Sequence, residues 1–325
     1  MTRYITAASG DTIEIDQQAG LEATVHVVDA LSIDAINAAL AARRPLLVRG
    51  EPGTGKSQLA RVAAQLLRRA FVPFTVDHRS EPHDLMWQLD AVARLAEAQI
   101  LGSIHGLSEE TLMKKIALAN FIAPGPLWWA MNWQSAASQA KVTDTGMPFC
   151  PEGWSPEDGV VVLIDEIDKA DAAVPNGLLE CLGNRAFRCP SGVHVALNHG
   201  TPPLVVVTTN EERALPDAFI RRCMVRQLAL PTEKTELIRF LVERGRAHIP
   251  EADLDNGVLN EAASLLVADR EAAQDRDLGP PGCAEYLDLL YALRELKQDQ
   301  QADPGEMLGR LKTFAYQKHP PEHRR

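Results

Sequence analysis

The sequence predicts an α/β fold, a parallel sheet sandwiched by helices, with an all-helical part at its C-terminal end. Three observations carry this. Continuous apolar runs, PLLVR (45–49), VVVLI (160–164) and PLVVVTT (203–209), read as strands buried on both faces. Between them lie segments with apolar residues at helical spacing, such as KSQLARVAAQLLRRA with Leu59, Val62, Ala63, Leu66 and Leu67. From Pro231 onward only helices are legible, over 232–247, 256–268, 281–298 and 304–316. With 325 residues and 46% hydrophobic content the chain can bury one main core and a smaller one.

Taken in order, residues 1–30 read as a polar N-terminal extension, and LSIDAINAALAARR (31–44) as a helix. The strand PLLVR and a helix opening at Lys56 follow. FVPFTV (71–76) reads as a second strand, at an edge or irregular because of Pro73. DLMWQLDAVARLAEAQI (84–100) reads as one amphipathic helix, LSEETLMKKIALANF as another, and PGPLWWAMNW (124–133) as a helix started by its prolines. Residues 134–158 are polar and rich in Gly and Pro and read as an insertion or a mobile loop, the insertion lying near 124–158. VVVLI is then a strand, VPNGLLECLG a short helix, FRCPSGVHVAL (187–197) a hairpin, and PLVVVTT and MVRQLAL (224–230) two more strands.

The chemistry starts at GEPGTGKSQ, residues 50–58, between a strand and a helix. Gly50, Gly53 and Gly55 remove side chains where the backbone curls closely, and backbone N–H groups at a helix N-terminus suit a phosphate chain. The spacing G-x-x-x-x-G-K-S is that of the P-loop: Lys56 would reach the β- and γ-phosphates and Ser57 would ligate Mg²⁺. The strand VVVLI delivers Asp165 and Glu166 to its C-terminal end, where ligands sit in open α/β sheets. One carboxylate there can hold Mg²⁺, and the next can polarise an attacking water, with Asp168 the nearest substitute.

A net charge of −11 argues against a general nucleic-acid-coating surface. Five cysteines without metal-knuckle spacing read as reduced, mostly buried thiols. The N-terminus lacks an apolar core of signal-peptide length and no run is long enough to span a membrane, so a soluble, cytoplasmic protein is expected.

The order GEPGTGKS, LIDEID, VVVTTN, LPDAFIRRC resembles the AAA+ ATPases, and their MoxR-like branch most closely, over about residues 31–312. The resemblance implies a P-loop NTPase sheet as the AAA+ core over 31–230, a helical lid over 231–325, ATP and Mg²⁺ as cofactors, and ATP hydrolysis. Residues 50–58, that is Gly50, Glu51, Pro52, Gly53, Thr54, Gly55, Lys56, Ser57 and Gln58, become the nucleotide-binding loop, with Ser57 and Asp165 on the metal. Glu166 becomes the catalytic carboxylate, Asn210 the polar sensor, and Arg222 the arginine finger reaching a neighbouring subunit, Arg221 being the competing choice. FRCPSGVHVAL resembles the extra hairpin of this branch. DLMWQLDA sits where the family places a pore-facing loop, although Met86 and Trp87 fit core packing better. Two departures stand out: the stretch between Lys56 and Asp165 is long, and Gly279 occupies the place of the second-sensor cation, for which Arg276 could substitute.

By the same resemblance, a homo-oligomeric ring, a hexamer, acts as a chaperone or remodeller on a protein client, with a von Willebrand factor A-type protein as the implied partner class. A slow-hydrolysing switch or scaffold and a nucleic-acid motor are the other readings. The acidic charge and the absence of a legible helix-turn-helix count against the motor. Trp128, Trp129 and Trp133 fall at i, i+1 and i+5 of the expected helix, and neighbours diverge by roughly 100°. At least one indole must therefore pack on another element, the following loop or a second chain.

Overall fold

A computed structural model describes residues 4–104, 108–198, 200–276, 278–300 and 304–316. Among them the central sheet has five parallel strands: β3 (Leu46–Gly50), β4 (Ala70–Thr75), β7 (Val160–Asp165), β10 (Leu204–Thr209) and β11 (Met224–Leu228), in spatial order β11-β3-β10-β7-β4. The apolar runs are continuous because the sheet is covered on both faces. Val160, Val162 and Ile164 point into one core with Val205 and Val207, while Val161 and Leu163 point into the other with Leu46, Val48 and Val206. β4 is an edge strand, which accommodates Pro73.

One face is covered by α1 (Ala30–Ala42) and α2 (Lys56–Leu67), beside an antiparallel pair of β1 (Thr12–Ile15) and β2 (Thr24–Val27). That pair was not expected from the polar N-terminal segment. It packs against α2 and against the first helix of the C-terminal region.

The other face carries the insertion, and here the structure corrects the sequence reading. The expected helix over 84–100 is a 3₁₀ turn (Pro82–Leu85), a strand β5 (Trp87–Leu89) and only then α3 (Ala91–Gly102), whose N-cap Asp90 accepts from the Ala93 amide. β5 is extended because it pairs antiparallel with β6 (Ile122–Pro124), and the Gly125 amide donates to Met86 O. Met86 and Trp87 pack on the core, as expected from the sequence. The second expected helix is α4 (Glu109–Lys115) followed by a 3₁₀ turn, Leu118–Phe121; its first residue lies outside the described residues.

The tryptophan helix is two helices, α5 (Pro126–Met131) and α6 (Trp133–Thr143), broken at Asn132, which caps α6 by accepting from Ser135 N. A mobile loop over 134–158 is thus corrected in its first half. The break also answers the indole problem within one chain. Trp128 is 1% exposed, edge-on to Phe187, and Trp129, Trp133 and Trp154 form a contiguous cluster with centroids 4.8 and 4.5 Å apart. Further along, α7 (Ala173–Asn184) and the hairpin of β8 (Ala186–Arg188) and β9 (His194–Ala196) follow as read, and a short helix, α8 (Asp217–Ile220), precedes β11.

The C-terminal region contains only helices among the described residues: α9 (Lys234–His248), α10 (Asn256–Gln274), α11 (Cys283–Gln300) and α12 (Pro304–Ala315). They bury a separate core around Leu241, Leu266, Tyr286, Leu290 and Leu308. No described helix is long and apolar enough to cross a membrane. All five cysteines are free, and burial pushes the Cys150 thiol up to about 11 and the Cys181 thiol up to about 12.

Candidate nucleotide site

The site is built where β3, β7 and β10 end. After β3 the chain turns through Gly53 (φ 75°) and Gly55 (φ 89°), conformations that side-chain-bearing residues adopt with strain. A Cβ on Gly53 would lie 2.9 Å from Ala284 Cβ, so the loop must pass close under α11. Gly55 precedes α2 in the left-handed conformation, and no side chain caps that helix. Its first amides are therefore left for a ligand.

Pro52 to Gln58, Asp165, Glu166, Thr208 and Asn210 line one cavity of about 430 Å³, closed on the far side by His26 of β2 and by Phe240, Arg244, His248 and Tyr291 of the helical region. Every sequence-expected site residue of the loop lies there except Gly50 and Glu51, which stand just before it. Arg221 and Arg222 are exposed at the end of α8 and do not line this cavity.

Lys56 is 7% exposed and its Nζ donates to Gly50 O and Glu51 O, both at 2.8 Å. Burial lowers its pKa, and Asp165, followed by Asp168 and Glu166, counters that. A buried ammonium whose hydrogen bonds go to neutral carbonyls suits an anionic ligand. Ser57 Oγ donates to Asp165 Oδ1 at 2.7 Å, and Thr208 Oγ1 donates to the same oxygen at 2.5 Å. Thr208 Oγ1 also accepts from the Glu166 amide at 2.9 Å.

Glu166 has φ 58°, unusual for a residue with a side chain, and its carboxylate is doubly engaged. Lys169 Nζ donates to Oε2 at 2.5 Å, and Asn210 Nδ2 approaches Oε1 at 3.5 Å. Asp168 is 2% exposed and accepts from the amides of Asn210 (3.4 Å) and Glu212 (2.9 Å). It therefore holds the loop carrying Asn210 and is not free to replace Glu166.

Thr208, Lys169 and Arg244 were missed by the sequence reading. Arg276 is exposed and outside the cavity lining, so the helical region's cation in the cavity is Arg244, which donates to Val27 O at 2.9 Å and lies over the Phe240 ring. No signal in the α9 sequence separates Arg244 from Arg239 or Arg246; only packing does.

The residues present fit a magnesium–nucleotide. The uncapped helix start and the buried Lys56 suit a phosphate chain. Ser57 and Asp165 supply two hard oxygens, the small protein share expected when phosphate and water complete a Mg²⁺ shell. No group of three or more His, Cys, Asp or Glu able to hold a metal occurs among the described residues.

The parallel sheet, its loop and its covering helices define a P-loop nucleotide-binding fold of the AAA+ type. The chain belongs to the AAA domain family (dynein-related subfamily), whose profile matches residues 45–223, more than half of its length. Among solved structures it is similar to a proposed ATPase from Cytophaga hutchinsonii, at 12% identity and a TM-score of 0.36, covering 87% of this chain and 79% of that one. It is also similar to a RuvB variant from Thermotoga maritima, at 15% identity and a TM-score of 0.40, covering 84% of this chain and 64% of that one. A search of functionally curated proteins finds no match.

Proposed function

We propose that this chain is an Mg-ATP-dependent ATPase of the MoxR type that assembles as a ring, a hexamer, and remodels a protein client in the cytoplasm. A von Willebrand factor A-type protein is the partner class this reading expects. Residues 31–230 act as the ATPase core and 231–325 as its lid, behind the extension 1–30.

The observation that carries the reading is the convergence of Lys56, Ser57, Asp165, Glu166 and Asn210, from three strand ends, on one cavity. In it Lys56 and the amides of the loop bind the phosphates, and Ser57 and Asp165 hold the metal. Bound Mg²⁺ supplies neutralisation of the charge that develops on the phosphoryl oxygens. Glu166 orients and deprotonates water, Asn210 fixes that water's position, and Arg222 serves the neighbouring subunit's site.

The contact between Lys169 and Glu166 favours a second reading, a slowly hydrolysing switch, because an ammonium occupies one oxygen of the catalytic carboxylate. Two variants test both. Lys56→Ala should lose nucleotide binding by calorimetry. Glu166→Gln should bind normally and turn over about 10²-fold more slowly, the lower end expected for loss of a general base. Unchanged affinity in the first variant would remove the phosphate-binding role. Wild-type turnover no faster than that of Glu166→Gln would favour the switch.

A further inference from the structure

Arg270 of α10 is 8% exposed, yet it lies outside the nucleotide cavity and takes no part in the chemistry above. It lines a different cavity of about 300 Å³, walled by Leu228, Leu237 and Val267. Its two terminal nitrogens point to different segments. Nη2 pairs with Glu51 Oε2 at 2.6 Å, and Nη1 donates to Pro281 O at 3.0 Å.

Both targets bear on the phosphate-binding loop. Glu51 is its second residue. Pro281 precedes Gly282, whose Cβ position lies 3.2 Å from Pro52 O, and Ala284, which sits against Gly53. One guanidinium thus fixes the loop by its side and also the segment that packs on its tip. Glu51 is held twice, at its carbonyl by Lys56 Nζ and at its carboxylate by Arg270.

When a phosphate draws Lys56 away from the carbonyls of Gly50 and Glu51, the first hold is released and the second remains. We infer that Arg270 is a positioning residue: it shapes the phosphate-binding loop through Glu51 and transmits the loop's occupancy to the helical region. This rests on the nucleotide-binding reading of the cavity. A planar fork suits the task because it engages two acceptors in fixed directions, which a lysine ammonium does less well.

The test is a double-mutant cycle on ADP affinity, measured by calorimetry with full-length protein and Mg²⁺. Arg270→Ala and Glu51→Gln should each weaken ADP binding about tenfold, and the double variant should be no weaker than either single by more than about twofold. Arg270→Lys should recover part of the loss, which general loosening of the helical core would not produce. If Arg270→Ala fails to fold, Glu51→Gln against Arg270→Lys supplies the cycle, since Glu51 is 49% exposed at its side chain. Affinities within twofold of wild type, or fully additive losses, would overturn the inference. Lys56→Ala separates the two layers. If it abolishes binding while Arg270 and Glu51 variants bind normally, only the positioning role falls; if wild-type protein binds no ADP, the reading of the cavity falls with it.

Discussion

Glu166 is the proposed catalytic carboxylate, and its backbone and side chain are constrained independently. Thr208 fixes the amide, which sustains the left-handed φ of 58°, while Lys169 and Asn210 occupy the carboxylate oxygens. The hydrogen bond to Glu166 raises the Lys169 pKa, so the ammonium stays charged across neutral pH. It competes with water for Oε2. Lys169→Ala should therefore raise basal turnover roughly two- to tenfold, a small part of the roughly 10²- to 10⁴-fold that a general base contributes. A steady-state phosphate-release assay reads this directly, and a fall in turnover would mean that Lys169 aligns the carboxylate instead of blocking it. The loop residues 50–58 were legible because phosphate binding demands particular residue types at fixed spacing. Thr208 was not, since a threonine at a strand end carries no such demand. It meets Asp165 only because β10 pairs with β7, a fact of topology.

At the level of elements, the strands of the sheet were legible because burial on both faces leaves an unbroken apolar run. The insertion was not, because its strands are three residues long and become extended only through each other. WQL carries no β signal of its own; pairing with IAP and the bond from the Gly125 amide to Met86 O make it a strand. Asn132 likewise breaks a run that helical periodicity alone would continue. The polar N-terminal segment concealed a hairpin whose second strand brings His26 to the cavity wall. Burial, and next the Arg244 guanidinium, push the His26 pKa from 6.5 down to about 4. Its folded form is neutral, so the unfolded chain binds a proton that the native one refuses between those values. Stability from this residue is present above pH 6.5 and is lost as pH falls toward 4. Between pH 7 and 5 wild type should lose about 2 kcal/mol more than His26→Gln in urea melts. Parallel losses in the two proteins would show that the ring does not enter the cavity wall as neutral imidazole.

At the scale of the whole molecule, two cations of its own chain line the cavity, the buried Lys56 from the sheet side and the half-buried Arg244 from the helical region. Arg221 and Arg222 stand outside it, exposed at the end of α8, and among the described residues neither makes an ion pair. On the proposed reading, a guanidinium placed there would serve the phosphate of another copy of the chain, and hydrolysis would then be a property of the assembly. Arg222→Ala should keep nucleotide affinity and lose about 10³-fold in turnover, the lower range for a finger supplied in trans. Lys56→Ala loses its own site but retains its finger. Mixed with Arg222→Ala it should restore activity, because each contact placing an intact Arg222 beside an intact Lys56 makes one working site. At equal mixing that arrangement occurs at roughly a quarter of heterologous contacts, so about a quarter of the wild-type rate should return. Turnover per chain should also fall on dilution as the assembly separates. If the mixture is as inactive as its components, or turnover per chain does not vary with concentration, each chain hydrolyses alone and the role of Arg222 is lost. If Arg221→Ala behaves in the mixture as predicted for Arg222→Ala while Arg222→Ala stays active, the neighbour's guanidinium is Arg221.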